Sequence, residues 1–280
     1  MKRFLIGLSR RINTLNLLES RNLISQTSDS NKLRIKLESK QTIYTGFDPT
    51  APSLHVGNLL TIIALLHFQT TGHQIIALVG GATGGIGDPS GKKTERQALE
   101  KNIVENNILC IQNQLNYIFE NAKIYAEKRK MSWKHDPLIL NNAIWYENMN
   151  MIDFLLNVGK KSRISAMLAR DSVKGRLEGG ISATEFTYQL LQAYDFWHLY
   201  SNYGCNIQLG GSDQWGNITC GLELIRKNNI DNVNSNGKAA YGITIPLVTT
   251  PTGEKFGKSE GNAIFITDSF SCILKFYNVI

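Results

Sequence analysis

Four cysteines among 280 residues (Cys110, Cys205, Cys220, Cys272) form no C-x-x-C pair, so the sequence spells neither a zinc knuckle nor a dithiol redox motif. A reducing compartment is the simplest setting. Proline is scarce too, 6 residues against 24 glycines, and no stretch approaches the roughly 20 consecutive apolar residues that a membrane-spanning helix needs. Fibrous, disordered and integral-membrane readings drop out, and no membrane partner is expected. What remains is a soluble globular chain of 31.3 kDa, 42% hydrophobic and 19% charged, long enough for one large domain or two modest ones. That size alone excludes a disulfide-stapled miniprotein or an isolated peptide-recognition module.

Acidic residues are missing from the first eighteen positions. MKRFLIGLSRRINTLNLL carries Lys2, Arg3, Arg10 and Arg11, and removing those four cations lowers the net charge from +7 to +3, so overall basicity says little about nucleic acid. Phe4, Leu5, Leu8, Ile12, Leu15 and Leu18 recur at near-helical spacing, which leaves basic and polar residues on the other side. The pattern predicts a mitochondrial transit segment over 1–18 and a mitochondrial matrix location. A basic surface helix is the plain alternative; Arg10 and Arg11 interrupt the apolar run that a secretory signal requires.

After a helical extension over 19–40, short apolar runs alternate with longer helical patterns. QTIYTGF (41–47) reads as a buried strand, and a helix follows whose start is marked by Pro52 and Ser53. HQIIALVGG (73–81) reads as the next strand, then a glycine-rich turn and a helix from about Thr94 to Glu120. Three helical stretches fill the middle, the last over 182–204 with Ser182 and Glu185 as a capping box. CNIQLGG (205–211) reads as a strand, a helix begins near Trp215, and YGITIPLVTT (241–250) is a last strand ended by Pro251. Repeated strand, crossover helix and parallel strand predict an α/β, doubly wound, Rossmann-like parallel sheet with a helical insertion. The domain is expected over 41–254, with a polar loop and a short end over 255–280.

Five constellations carry chemistry. Tyr44 to Thr50 end a strand and Leu54-His55-Val56-Gly57-Asn58 open a helix, whose unpaired N–H groups and positive dipole end suit a polyphosphate; His55 reads equally as a simple cap. Gly80 to Lys92 fails the Walker pattern, because Ile86 stands at its first glycine and Lys93 at its Ser/Thr, and fails the dinucleotide fingerprint at Ser90. Its glycines either let backbone approach a ligand and aim Asp88 into a cleft, or form a plain flexible loop. Tyr188, Gln192 and Asp195 fall at i, i+4 and i+7, one face of a helix: a solvated polar face, or partners for a ligand with an ammonium and a hydroxyl. Gly210 to Asn217 sits at a strand's carboxyl end, where open α/β sheets bind ligands. Lys255-Phe256-Gly257-Lys258-Ser259 places two ammonium groups on a loop suited to clamping phosphate, or simply a surface turn.

Together these motifs resemble those of class I aminoacyl-tRNA synthetases. His55-Val56-Gly57-Asn58 is similar to the HIGH signature and Lys255 to Ser259 to the KMSKS loop. YTGFDPTAPSLHVGN, GDPSGK, YQLLQAYD and GGSDQWGN resemble the versions found in tyrosyl-tRNA synthetases, and the resemblance runs from about Leu17 to Thr267. It implies a class I catalytic domain that activates L-tyrosine with ATP and transfers it to the tyrosine transfer RNA, and the transit-like start adds the mitochondrial type. Tyr44 and Asp195 would hold the phenolic hydroxyl, and Asp88, Tyr188 and Gln192 the ammonium. Asp48, Gly57, Asn58, Gly211, Asp213 and Gln214 would line the adenylate site. Thr50 and His55 would meet the leaving phosphates, with Lys255, Lys258 and Ser259 closing over them, while Lys92 and Arg96 would lie towards the RNA acceptor stem. Asn58 replaces the signature's second histidine, Phe256 the loop's methionine and Gly257 its first serine.

The resemblance further implies a homodimer through the catalytic domain, magnesium arriving with ATP, no tightly held cofactor and no protein metal site. The tyrosine carboxylate attacks the α-phosphorus and expels pyrophosphate, so no protein nucleophile is needed and none is spelled. Family members continue beyond the KMSKS loop into an anticodon-reading domain, whereas this chain stops at Ile280 and departs from the pattern after about Thr267. A truncated form is therefore expected, able to activate tyrosine but weak in transfer. The competing readings are an RNA-binding or intron splicing-assist protein, a tryptophanyl-tRNA synthetase, which the Tyr44 and Asp195 pair counts against, and a nicotinamide-dependent oxidoreductase, which the failed fingerprint counts against.

Overall fold

The computed structural model describes residues 13–92, 99–231, 239–249 and 263–267. Most of the expected transit segment, Lys93, Arg96, and the loop residues Lys255, Lys258 and Ser259 lie outside the described residues. In chain order the elements are α1 (Thr14–Glu19), β1 (Gln26–Thr27), α2 (Ser30–Lys36), β2 (Thr42–Phe47), α3 (Val56–Thr70), β3 (Gln74–Val79), α4 (Lys101–Lys128) and β4 (Leu138–Asn141). Four short helices follow, α5 (Ala143–Tyr146), α6 (Met151–Asn157), α7 (Ile164–Leu168) and α8 (Asp171–Leu177), then α9 (Ala183–Tyr203), β5 (Ile207–Gly211), α10 (Trp215–Asp231) and β6 (Tyr241–Ile245).

The strands form one six-stranded sheet in the order β1-β6-β5-β2-β3-β4, parallel throughout except for the β1–β6 pair. The inner strand β3 is covered on both faces, which is why it reads as an unbroken apolar run. On β3, Ile75, Ala77 and Val79 pack with α3 and α4 residues such as Phe68 and Leu115. Ile76 and Leu78 point the other way, towards Phe196 and Leu199 of α9 and Ile225 of α10. Strand order reverses between β2 and β5, the switch point at which doubly wound sheets open a crevice. These two strands pair only at Ile43↔Ile207 and Tyr44↔Gln208. Beyond Tyr44 their carboxyl ends part.

Several boundaries differ from the sequence reading for identifiable reasons. The run from 241 to 250 ends as a strand at Ile245, because Pro246 has no N–H to give the ladder. Residues 99 and 100 are not helical and Glu100 is extended, so α4 begins at Lys101 and not near Thr94, and it continues to Lys128. The four-residue β4, just after Pro137, is too short for periodicity to reveal, and β1 shorter still. Ser182 caps α9 by accepting from the Glu185 N–H, but Glu185 does not reach back to close a box. Its carboxylate instead grips Arg176 through two bonds of 2.8 and 2.9 Å, both groups almost wholly buried. Finally, α1 overlaps the last residues of the expected transit segment and ends one residue beyond it. Asn13 caps it, and Leu15 and Leu18 are fully buried against the sheet-facing core, a contribution of about 1.5–3 kcal/mol each.

Candidate active site

The crevice between the parting ends of β2 and β5 is a cavity of about 260 Å³. Into it converge residues from β2, the loops after β2 and β3, the α3 start, α9, and the β5–α10 turn. At its floor, Asp195 of α9 accepts from Asn142 Nδ2 at 3.0 Å and from Trp145 Nε1 at 2.8 Å. Burial pushes its carboxyl up to about 7, the donors oppose that rise, and the neighbouring Asp48 charge adds to it. Trp145 is held for this contact by stacking on His198, ring centroids 4.3 Å apart at 18°. Tyr44 of β2 faces the same floor, and its hydroxyl is buried without a hydrogen-bond partner. Burial first, and then the Asp195 charge, hold that phenol well above its usual range, so it stays protonated.

Higher up, Asp48 accepts from Thr83 Oγ1 at 2.8 Å and from Tyr188 Oη at 2.7 Å. The glycine-rich turn is needed here: a Cβ on Gly80 would stand 2.1 Å from Asp48 Oδ1. Asp88, nine-tenths buried, accepts from the Ser90 N–H at 2.9 Å, Gln214 Nε2 at 2.7 Å and Asn217 Nδ2 at 3.3 Å. Asp88, Tyr188 and Gln192 line this part of the cavity.

At the mouth stands His55. It caps α3, Nδ1 accepting from the Asn58 N–H at 3.3 Å while Asn58 Oδ1 accepts from the His55 N–H at 3.0 Å. It also lines the cavity beside Thr50, Gly57 and Asn58. Because Nδ1 accepts, the ring's proton sits on Nε2, a donor suited to an anion at the positive end of α3. Gly211, Asp213 and Gln214 line the opposite side. Lys92 lines the same cavity, its ammonium shut away from solvent and unpartnered. Chain 263–267 returns to the mouth, the Val56 N–H donating to the Ile264 carbonyl at 2.9 Å and Phe265 lining the cavity.

Residues the motif reading did not single out complete the site: Thr83, Asn142, Trp145, Gln208 and Asn217. Thr83 and Asn217 lay within quoted motifs without a role, while Asn142 and Trp145 follow the unread β4. Gln208 had a signal, an amide flanked by Ile207 and Leu209 within a strand. Among the described residues no group of three or more His, Cys, Asp or Glu could hold a metal ion, and no helix is long and apolar enough to cross a membrane.

A doubly wound domain with a crevice at its switch point, and a helix amino-terminus facing that crevice, is the α/β arrangement that binds ligands beyond the carboxyl ends of its strands. The chain belongs to the family described as tRNA synthetases class I (W and Y), whose model matches residues 36–280. It is 47% identical over 280 residues to the mitochondrial tyrosine–tRNA ligase of Saccharomyces cerevisiae, covering 96% of this chain and 56% of that protein. It is 50% identical over 268 residues to tyrosine–tRNA ligase 1 of Bacillus subtilis, covering 95% and 60%. The fold matches a C-terminally truncated Aspergillus nidulans mitochondrial tyrosyl-tRNA synthetase with a TM-score of 0.84 and 32% identity, over 96% of this chain and 76% of that one. The chain thus spans about three-fifths or less of these curated relatives. They are named for tyrosine ligation and none for intron splicing, so that alternative finds no support.

Proposed function

We propose that this chain activates L-tyrosine with ATP, giving tyrosyl-adenylate and pyrophosphate, the first half of a tyrosine–tRNA ligase reaction. The observation that carries the reading is the orphaned Tyr44 hydroxyl on the same buried floor as the Asp195 carboxylate. An unpaired buried hydroxyl is costly, and a phenol placed there would accept from Tyr44 while donating to Asp195. The Asp88, Gln192 and Tyr188 wall would take the ammonium. The substrate carboxylate then faces the mouth, where its oxygen attacks the α-phosphorus as the bond to pyrophosphate breaks. His55 Nε2–H, Thr50, the α3 amino-terminus and Lys92 would stabilise the charge growing on the leaving phosphates, together with Lys255, Lys258 and Ser259. Magnesium would enter as part of the nucleotide substrate. Pyrophosphate exchange on the purified chain with each of the twenty amino acids tests this: tyrosine alone should support exchange, and exchange with phenylalanine at a similar rate would refute it.

Transfer to the tyrosine transfer RNA, a matrix location and a homodimer belong to the same proposal. The names of the mitochondrial relatives support the location. The dimer is supported by the insertion α5–α8, which leaves Ile144, Met151, Ile152, Leu156 and Ile164 well exposed, an apolar face of the kind that a second copy covers.

A further inference from the structure

Resting on the tyrosine-activation reading, we infer that Asn217 is a positioning residue that builds the ammonium subsite. Asn217 is the third residue of α10, fully buried. Its Nδ2 lies within hydrogen-bond distance of four oxygens: Gln192 Oε1 at 3.1 Å, Ser90 Oγ at 3.2 Å, and Asp88 Oδ1 and Gln214 Oε1, each at 3.3 Å. The nitrogen cannot be exchanged for the amide oxygen, because that would face a carboxylate with another acceptor. An amide carries two hydrogens, so three carbonyl or carboxylate oxygens and a hydroxyl around it leave more lone pairs than it can satisfy. A cation with three N–H groups supplies what is missing. Asn217 therefore does two things at once. It turns the Gln192 and Gln214 carbonyl oxygens inward, and it holds the Asp88 carboxylate, which the Ser90 N–H and Gln214 Nε2 clamp from other sides.

The residue acts through Asp88 and Gln192, so its removal should be felt only by ligands that carry the ammonium. Binding of L-tyrosine, tyramine and 3-(4-hydroxyphenyl)propionate to the full chain is measured by calorimetry without ATP. In Asn217→Ala, and in the similarly sized, donor-free Asn217→Leu should the first variant fold poorly, tyrosine and tyramine should weaken by roughly tenfold or more, and the propionate, which lacks the ammonium, by less than about twofold. In exchange assays KM for tyrosine should rise while kcat changes little, since the ammonium contact is alike in ground and transition states. Equal weakening of all three ligands, or no change in any, overturns the inference. Tyrosine binding by the unmodified chain without exchange would count against activation alone, and the three-ligand comparison would still decide Asn217.

Discussion

Replacing Tyr44 by phenylalanine should raise the stability of the free protein and lower its affinity for tyrosine, two effects of opposite sign from one oxygen. The ring packs against Phe196 at a centroid distance of 5.3 Å, a contact phenylalanine keeps. What is lost is a buried hydroxyl with no partner, whose desolvation costs about 1–3 kcal/mol. Relief of that cost should raise the melting temperature by roughly 2–4 °C per kcal/mol for a domain of this size. In the tyrosine complex the same hydroxyl would donate to the phenol, so the substitution forgoes that bond and also starts from a free state relieved of its penalty; the two add to about 1.5–4.5 kcal/mol, a weakening of roughly tenfold or more. Phenylalanine, which cannot use that bond, should bind no worse. Thermal melts of both proteins with and without tyrosine, and exchange assays with both amino acids, read all four quantities. A free Tyr44→Phe protein that melts lower than the parent, or that loses affinity for both amino acids alike, would show that the hydroxyl is satisfied in some other way and that the floor has been misassigned.

Asp195 is pushed up to about 7 by burial, so in the empty site its carboxyl is neutral in mild acid and cannot accept a phenol as a carboxylate does. Tyrosine affinity should fall by up to about tenfold per unit as pH drops below that value, and Asp195→Asn should flatten the profile. The unfolded carboxyl titrates near 4, so between there and about 7 the folded state holds the extra proton and stability of the free protein falls as pH rises; denaturant titrations across that window should show the slope vanish in Asp195→Asn. Ile152→Asp puts a charge on the exposed α6 face and should shift the chain from dimer to monomer in sedimentation while leaving its circular dichroism unchanged. Arg176→Ala strands the buried Glu185 carboxylate and should cost about 3–5 kcal/mol in urea unfolding, with Arg176→Lys recovering only part because one ammonium cannot replace the paired guanidinium contact.

Much of the fold was legible because its signals are local. Ile75 to Val79 announces a strand covered on both faces, Ser182 announces a helix start, and Tyr188, Gln192 and Asp195 share a face through spacing alone. Glu185 shows where local reading fails. A glutamate three residues after a capping serine is right for a box, yet a buried arginine on α8 offers a charged partner that a single backbone N–H cannot match. His55 shows the reverse, since its capping contact is made and the group still faces the crevice.

By itself the sequence determined the order of β2, β3, β5 and β6 and of the long helices between them, the glycine-rich turn after β3, the helix start at His55 and the polar triplet on α9, all set by periodicity and by backbone needs within a few residues. Only the tertiary structure decided that β2 and β5 part beyond Tyr44 and Gln208, that Asn142 and Trp145 come from an unread strand's end to brace Asp195, and that Asn217 gathers four oxygens about one nitrogen. It also decided which hydroxyl is left unpaired and which carboxyl titrates near neutrality. The reason is physical: desolvation and hydrogen-bond satisfaction are properties of the space enclosed by residues far apart in the chain, and no spacing of letters along one helix or strand carries that information.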